Sequence, residues 1–268
     1  MDHAFVVPAY GDSPYLAQCI ASLKAQRGPA SAIAVATSTP SPAIESVARD
    51  AGVALRVNPV RASIGADWNF ALGCATAPFV TLAHQDDLFR DDYVERMRAA
   101  IDPVPDVLMA FSDFDEVDPS GPRPVHANLR VKRFLVRRAF TGRAAIDRRE
   151  DKRRLLAWGN PIGCPSVVLN RARLPAFRFD EAMGSNLDWE AWLRLADERG
   201  SFVHVGEPLV TRRIHPASET TSLIADARRI AEDRAMFRRL WPAPVAEAIA
   251  AFYRLGYRAN RTRVSAEA

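Results

Sequence analysis

Four short polar runs stand beside apolar segments, and each carries groups that could do chemistry. His84-Gln85-Asp86-Asp87 follows the apolar run Phe79 to Ala83. Adjacent carboxylates at a strand end are hard oxygen ligands suited to Mg²⁺ or Mn²⁺, an ion that bridges phosphates and neutralises charge on a departing diphosphate. An isolated Asp-Asp pair more often caps a turn or helix, so company is needed. Ala9-Tyr10-Gly11-Asp12 follows an apolar start and offers a ring for a flat base, or a plain surface turn. Asn186-Leu187-Asp188-Trp189-Glu190 opens an amphipathic run in which Asp188 either answers the helix macrodipole or serves as a general base. Arg212-Arg213-Ile214-His215, with Ser218 and Thr220 beyond, places a histidine and hydroxyls beside two cations, a set that suits phosphate or a purely structural histidine.

The elements that must position these runs are legible as alternation of apolar and amphipathic segments over residues 1–112, the pattern of βα units building a mostly parallel sheet flanked by helices. Strands are expected at 4–8, 32–36, 53–57, 79–83 and 107–111. Helices are expected after Ser13-Pro14, with Leu16, Ile20 and Leu23 on one face, from Ser41-Pro42 to Gly52, and over 65–75 and 91–101. After Pro119 a Pro- and Gly-punctuated loop leads to an Arg-rich insertion, 130–154, interrupted by Phe134, Leu135 and Phe140. A strand at 166–170, a helix at 188–198, strands at 202–205 and 209–213, and helices at 224–240 and 245–258 complete the reading.

Composition narrows the class. The 268 residues carry 36 basic and 32 acidic groups, 25% charged and 48% hydrophobic, as in a folded globular chain rather than a disordered or collagen-like one. No window reaches the roughly 18 apolar residues of a membrane span, and the start lacks signal-peptide features, so the expected compartment is the cytoplasm. Cys19, Cys74 and Cys164 are odd in number and far apart, which predicts reduced thiols. Charge is divided unevenly, −7 over residues 1–127 and +11 over 128–268. The basic half could approach an anionic acceptor, with the helices from Ile224 onward contacting the inner membrane face, docking on the domain, or pairing with a second copy of the chain.

Taken in order, the runs resemble glycosyltransferase family 2, of the GT-A fold, over roughly residues 4–220. Phe5-Val6-Val7-Pro8-Ala9-Tyr10 with Leu16, Ile20, Ser22, Leu23 and Gln26 is similar to that family's opening segment. Gly65, Asn69, Ala71 and Ala75, followed by Phe79 through Asp87, resemble its "G…N…LDxDD" segment, with His84 where the first Asp usually stands. Asp188-Trp189-Glu190-Ala191-Trp192-Leu193-Arg194-Leu195 resembles the "ED.dLWLRL" motif, with Leu187 in place of the preceding Glu, and Arg213-Ile214-His215-Pro216 resembles "yR.H".

The resemblance implies a GT-A catalytic domain over 1–220, with a nucleotide-binding half at 1–112 and an acceptor-side half at 113–220, and a helical extension at 221–268. It implies inverting sugar transfer from a nucleoside diphosphate to a hydroxyl of a glycan or lipid-linked sugar, in polysaccharide or glycolipid synthesis. Asp188 would be the base, and Asp86, Asp87 and His215 the ligands of Mg²⁺ or Mn²⁺. Pro8, Tyr10, Thr37, Ser38, Asn69, Gln85, Arg212, Arg213 and His215 would hold the donor. After the second strand the family's base-contacting Asp is replaced by Ala36-Thr37-Ser38-Thr39-Pro40. Two rival readings remain: a nucleotidyltransferase, disfavoured because Pro8 to Pro14 contains one Gly and no Lys or Arg, and a non-catalytic nucleotide- or anion-binding module. The aromatic interruptions of 130–154 favour a folded acceptor-side wall over a nucleic-acid tail.

Overall fold

Apolar alternation produces a sheet that runs across the whole domain. The computed structural model describes residues 1–28, 31–215 and 227–264, with residues 227 and 254–264 as backbone alone. Strands β1 (His3–Ala9), β2 (Ala32–Thr37), β3 (Ala54–Val57) and β4 (Phe79–Leu82) form a parallel set in the order β3-β2-β1-β4. Helices α1 (Leu16–Lys24), α2 (Pro42–Ala51) and α3 (Ile64–Gly73) connect them. The Ser41 hydroxyl accepts from the Ile44 N–H, Pro42 stands at the first helical position, and Gly52 closes α2 in the left-handed region at φ 65°.

Beyond β4 the sheet becomes mixed. A short β5 (Leu88–Phe89) precedes α4 (Tyr93–Ile101), and β6 (Val107–Asp118) lies between the antiparallel β9 (Val167–Asn170) and the parallel β10 (Ser201–Arg213). Two expectations are corrected here. The fifth large strand runs to Asp118 instead of stopping at 111, because partners satisfy its polar end: Asp113 Oδ1 lies 2.9 Å from His204 Nε2, and Asp115 Oδ1 accepts from Arg133 at 2.7 Å. The two strands expected at 202–205 and 209–213 are one strand, with register shifts on either side of Pro208, whose missing N–H interrupts the ladder.

The Arg-rich insertion folds as α5 (Ala127–Phe140), β8 (Ala145–Ile146) and α6 (Arg149–Leu156), after the two-residue β7 (Gly121–Pro122). Leu129, Val136, Ala139, Phe140, Leu155 and Leu156 are buried against the sheet, so the segment is a wall of the domain. The last helices are α7 (Leu187–Asp197), α8 (Ala227–Arg238) and α9 (Ala243–Val264). Met236, Phe237, Ala246 and Ala250 share a buried cluster with Trp189 and Trp192 of α7, so α8 and α9 dock on the domain. Arg234 and Arg238 pair with Glu247, and Arg239 with Glu190. The side chains of Arg254, Arg258, Arg261 and Arg263, and residues 224–226 of the expected helix, lie outside the described residues. The three thiols are free, Cys19 and Cys164 being buried.

Candidate active site

Ligands of open α/β sheets collect at the carboxyl ends of the strands. There β1, β4 and β10, the start of α3 and the amino end of α7 surround a cavity of about 680 Å³. Pro8, Tyr10, Gln85, Asp86, Asp87, Asp188, Arg212, Arg213 and His215 line it together, although more than 200 residues separate the first from the last. Thr37, Ser38 and Asn69 stand outside the lining. The Ser38 hydroxyl donates to Asp67 Oδ2 at 2.8 Å, and Thr37 Oγ1 accepts from the Thr39 N–H at 3.0 Å. Asn69 staples α3 to the chain before α7: its Nδ2 donates to Phe179 O at 3.0 Å and its Oδ1 accepts from Phe179 N at 2.7 Å.

At the base of the cavity, ligand atoms of His84, Asp86 and Asp87 all lie within 4.8 Å of one another. His84 packs against Trp68 with ring centroids 5.2 Å apart, and its Nε2 is buried with no hydrogen-bond partner among the described residues. Burial holds this imidazole in its neutral form, which leaves a lone pair for a metal. Burial, reinforced by the Asp86 charge, pushes the Asp87 carboxyl up. An orphaned imidazole nitrogen beside two crowded carboxylates is a donor set that fits a divalent cation. His215 takes a different place, with Nε2 3.0 Å from Asp86 Oδ2 and its ring 5.0 Å from that of Tyr15.

Adjacent residues of a strand face opposite ways, and β10 uses this at its end. The Arg213 guanidinium lies 4.2 Å from the Tyr15 ring centroid and donates to Asp86 O and to Gln18 Oε1, each at 3.0 Å. Arg212 lies on the other side, 5.2 Å from the Phe114 ring centroid. Gln85 clamps the turn after β1, accepting from Tyr10 N at 3.2 Å and donating to Tyr10 O at 3.0 Å. The Tyr10 ring is 53% exposed and stacks under Arg61.

Asp188 stands in the first turn of α7. Its Oδ2 accepts from Asn160 Nδ2 and its Oδ1 from the Trp189 N–H, each at 2.8 Å. Burial raises its proton affinity above the usual carboxylate range, against the pull of the Trp189 N–H and of Lys132, Arg212 and Arg229. The approach to α7 is fixed by α8, because the Glu232 carboxylate accepts from the N–H groups of Gly184, Ser185 and Asn186 at 2.7 to 3.1 Å.

The sequence profile described as Glycosyl transferase family 2 matches residues 4–174. The chain belongs to glycosyl transferase family 2. It is a glycosyltransferase by that membership, and its mixed α/β sheet is the GT-A fold.

Solved structures agree on the fold. The chain is similar to the mannosyltransferase PcManGT from Pyrobaculum calidifontis in complex with GDP-Man and Mn²⁺, with TM-score 0.65 and 17% identity over 99% of this chain and 75% of that one. It is similar to S. aureus TarS 1-349 in complex with UDP-GlcNAc, with TM-score 0.64 and 16% identity over 96% of this chain and 72% of that one. Against S. aureus TarS the TM-score is 0.60 at 15% identity, over 94% of this chain and 43% of that one, so the chain spans less than half the length of that protein. No curated protein sequence matches.

Several lining residues were not singled out from sequence as site residues: Arg61, Asp67, Lys132 and Asn160. Asp67 carries the carboxylate that the segment after β2 lacks, delivered from α3 and tied to Ser38. Its only sequence signal is its place between Gly65 and Asn69 in the family-like segment. Lys132 comes from the insertion and Asn160 from the loop after α6, and neither carries a motif.

Proposed function

We propose that this glycosyltransferase moves a sugar from a nucleoside-diphosphate donor to an acceptor hydroxyl with inversion, assisted by a divalent cation. The observation that carries the reading is the placing of a half-buried, doubly hydrogen-bonded carboxylate, Asp188, in one cavity with the His84, Asp86 and Asp87 cluster. The acceptor oxygen attacks the anomeric carbon while the bond from that carbon to the diphosphate oxygen breaks. Asp188 takes the acceptor proton, and its raised proton affinity suits that task. One carboxylate base is enough for such a displacement, in contrast to hydrolysis with its acid and base pair.

Around this step, Tyr10 and Asp67 would hold the base and ribose, while Arg213 and His215 would meet the diphosphate from the Asp86 side. Asp86 and Asp87, with His84 beside them, would hold Mg²⁺ or Mn²⁺, which supplies charge neutralisation at the diphosphate when bound. The acceptor would be a glycan or lipid-linked sugar, and the reaction one of polysaccharide or glycolipid synthesis in the cytoplasm or at the inner membrane face. No helix among the described residues is long and apolar enough to cross a membrane.

UDP- and GDP-linked sugars are the donors to try first, since the neighbours carry UDP-GlcNAc and GDP-Man. Thermal shift and calorimetry with UDP, GDP and dTDP, with and without Mn²⁺, should find one nucleotide whose binding strengthens with the metal. Absence of binding by all three, in either condition, would overturn the reading.

A further inference from the structure

Among the described residues, two cations in the cavity lack the partners that the other cations there possess. Arg213 is engaged by Tyr15, Gln18 and the Asp86 carbonyl. Arg212, on the opposite face of β10, has the Phe114 ring, and Lys132 Nζ from α5 lies 5.5 Å from the centroid of that same ring. Neither Lys132 nor Arg212 makes a side-chain hydrogen bond or ion pair to any described residue. The ring they share is held in place: a Cβ at Gly163 would come within 2.9 Å of it. Two like charges gathered on one buried ring repel each other, an arrangement that an anion would relieve.

We propose that Lys132 and Arg212 form a second anion subsite, beside the Asp188 carboxylate, that binds a phosphate group carried by the acceptor. This rests on the transferase reading above, in which Asp188 faces the acceptor hydroxyl. Arg213 and His215 serve the donor diphosphate on the Asp86 side of β10, and the alternation of the strand puts Arg212 on the other side, toward α5 and the base. The chemistry matches the ligand: an arginine fork gives two parallel hydrogen bonds to phosphate oxygens, and a lysine supplies a compact charge. Burial and then the Arg212 charge lower the Lys132 ammonium to about 8, with Arg229 acting the same way and Asp188 and Glu116 opposing. A bound phosphate would reverse that shift.

The chain offers a direct readout, because Lys24, Lys132 and Lys152 are its only lysines. In protein labelled with ¹³C at the lysine ε carbon, three signals are expected, and Lys132→Arg assigns the relevant one. Inorganic phosphate is titrated into the free protein and into protein saturated with Mg²⁺ and whichever of UDP, GDP or dTDP binds by calorimetry. The expected result in the loaded protein is a phosphate-dependent shift of the Lys132 signal and a rise of about one unit in its titration midpoint. Lys24 and Lys152 should stay unmoved, and Arg212→Gln should abolish the response. A Lys132 signal indifferent to phosphate would overturn the subsite. A signal moved by the nucleotide and then insensitive to phosphate would give the pair to the donor and overturn the acceptor assignment. If none of UDP, GDP and dTDP binds by calorimetry, the transferase reading falls and takes the acceptor assignment with it, an outcome distinct from nucleotide binding without a phosphate response.

Discussion

Asn160 Nδ2 donates a 2.8 Å hydrogen bond to Asp188 Oδ2, joining the loop after α6 to the first turn of α7. The same Asn160 accepts from the Ile162 N–H through Oδ1, so the amide is held at both ends and its donor is aimed at the carboxylate. Asp188→Asn should keep nucleotide binding and lose turnover by about 10² to 10⁴-fold, because the amide keeps the shape and cannot take the proton. Asn160→Ala should be milder, about tenfold in kcat, since the carboxylate stays and its orientation loosens. Losing a donor to the ionised form raises the proton affinity of Asp188 further, so the acid limb of the kcat profile should move to higher pH. A profile identical to the parent's would remove Asn160 from the machinery.

The metal cluster predicts a different signature. Asp86→Ala removes a carboxylate whose Oδ2 is tied to His215 and which contributes nothing to the apolar core. Nucleotide binding should lose its Mn²⁺ dependence while the melting temperature without ligand changes little. His84→Ala should weaken metal-dependent binding less, and it should also loosen the contact with Trp68. Equal Mn²⁺-dependent stabilisation of parent and Asp86→Ala protein would show that the cation is held elsewhere.

The parallel half of the fold was legible because its signals are local: Ser-Pro helix starts, a Gly stop and short apolar runs, each of which forms the element its own chemistry favours. The polar end of β6 was not, because Asp113, Asp115 and Glu116 become strand residues only through His204, Arg133 and His126, which the fold brings from elsewhere. Much the same holds at the site. Tyr10, Asp86, Asp188 and His215 follow strand ends or open a helix and could be picked out as candidates, and all four line the cavity. Asn69 shares the motif with Gly65 for a packing reason instead: a Cβ on Gly65 would meet the Asp180 carbonyl oxygen and the Glu181 Cα at 2.9 Å, and Asn69 bonds Phe179 in the same loop. The pair holds the segment that leads into α7. Lys132 and Asn160 carry no spacing signal, since their neighbours in space come from other elements.

Stability should respond to acid through His3. The ring is buried, with Nδ1 3.0 Å from Ser31 Oγ and Nε2 3.0 Å from Thr81 Oγ1, and burial lowers its proton affinity to about 3. The folded value lies below the unfolded one, so the unfolded chain binds the extra proton between the two. This contribution is therefore complete above about pH 6.5 and is lost as pH falls toward 3. Between pH 7.5 and 5.0 the parent should lose about 2 kcal/mol through this residue. In urea unfolding, His3→Gln should be less stable at pH 7.5 and should show a pH dependence flatter by that amount. Parallel curves for the two proteins would contradict the assignment.

Glu232 tests whether the C-terminal helices take part in organising the site. Burial works against its charge, yet the Ser185 hydroxyl and the N–H groups of Gly184, Ser185 and Asn186 hold its carboxyl below the usual range, and Asp233 accepts from Asn186 Nδ2 at 2.8 Å. These bonds fix the residues immediately before α7, and α7 carries Asp188 two residues beyond Asn186. Glu232→Ala leaves three N–H donors without their acceptor, at a cost of about 1 to 3 kcal/mol. Because the disturbance reaches the base and leaves the donor side of β10 alone, kcat should fall while the donor KM stays near the parent value. Glu232→Asp, which keeps the charge on a shorter stem, should recover part of both stability and kcat. A donor KM that rises as steeply as kcat falls would mean that the α8 contact organises the whole cavity instead of the approach to Asp188.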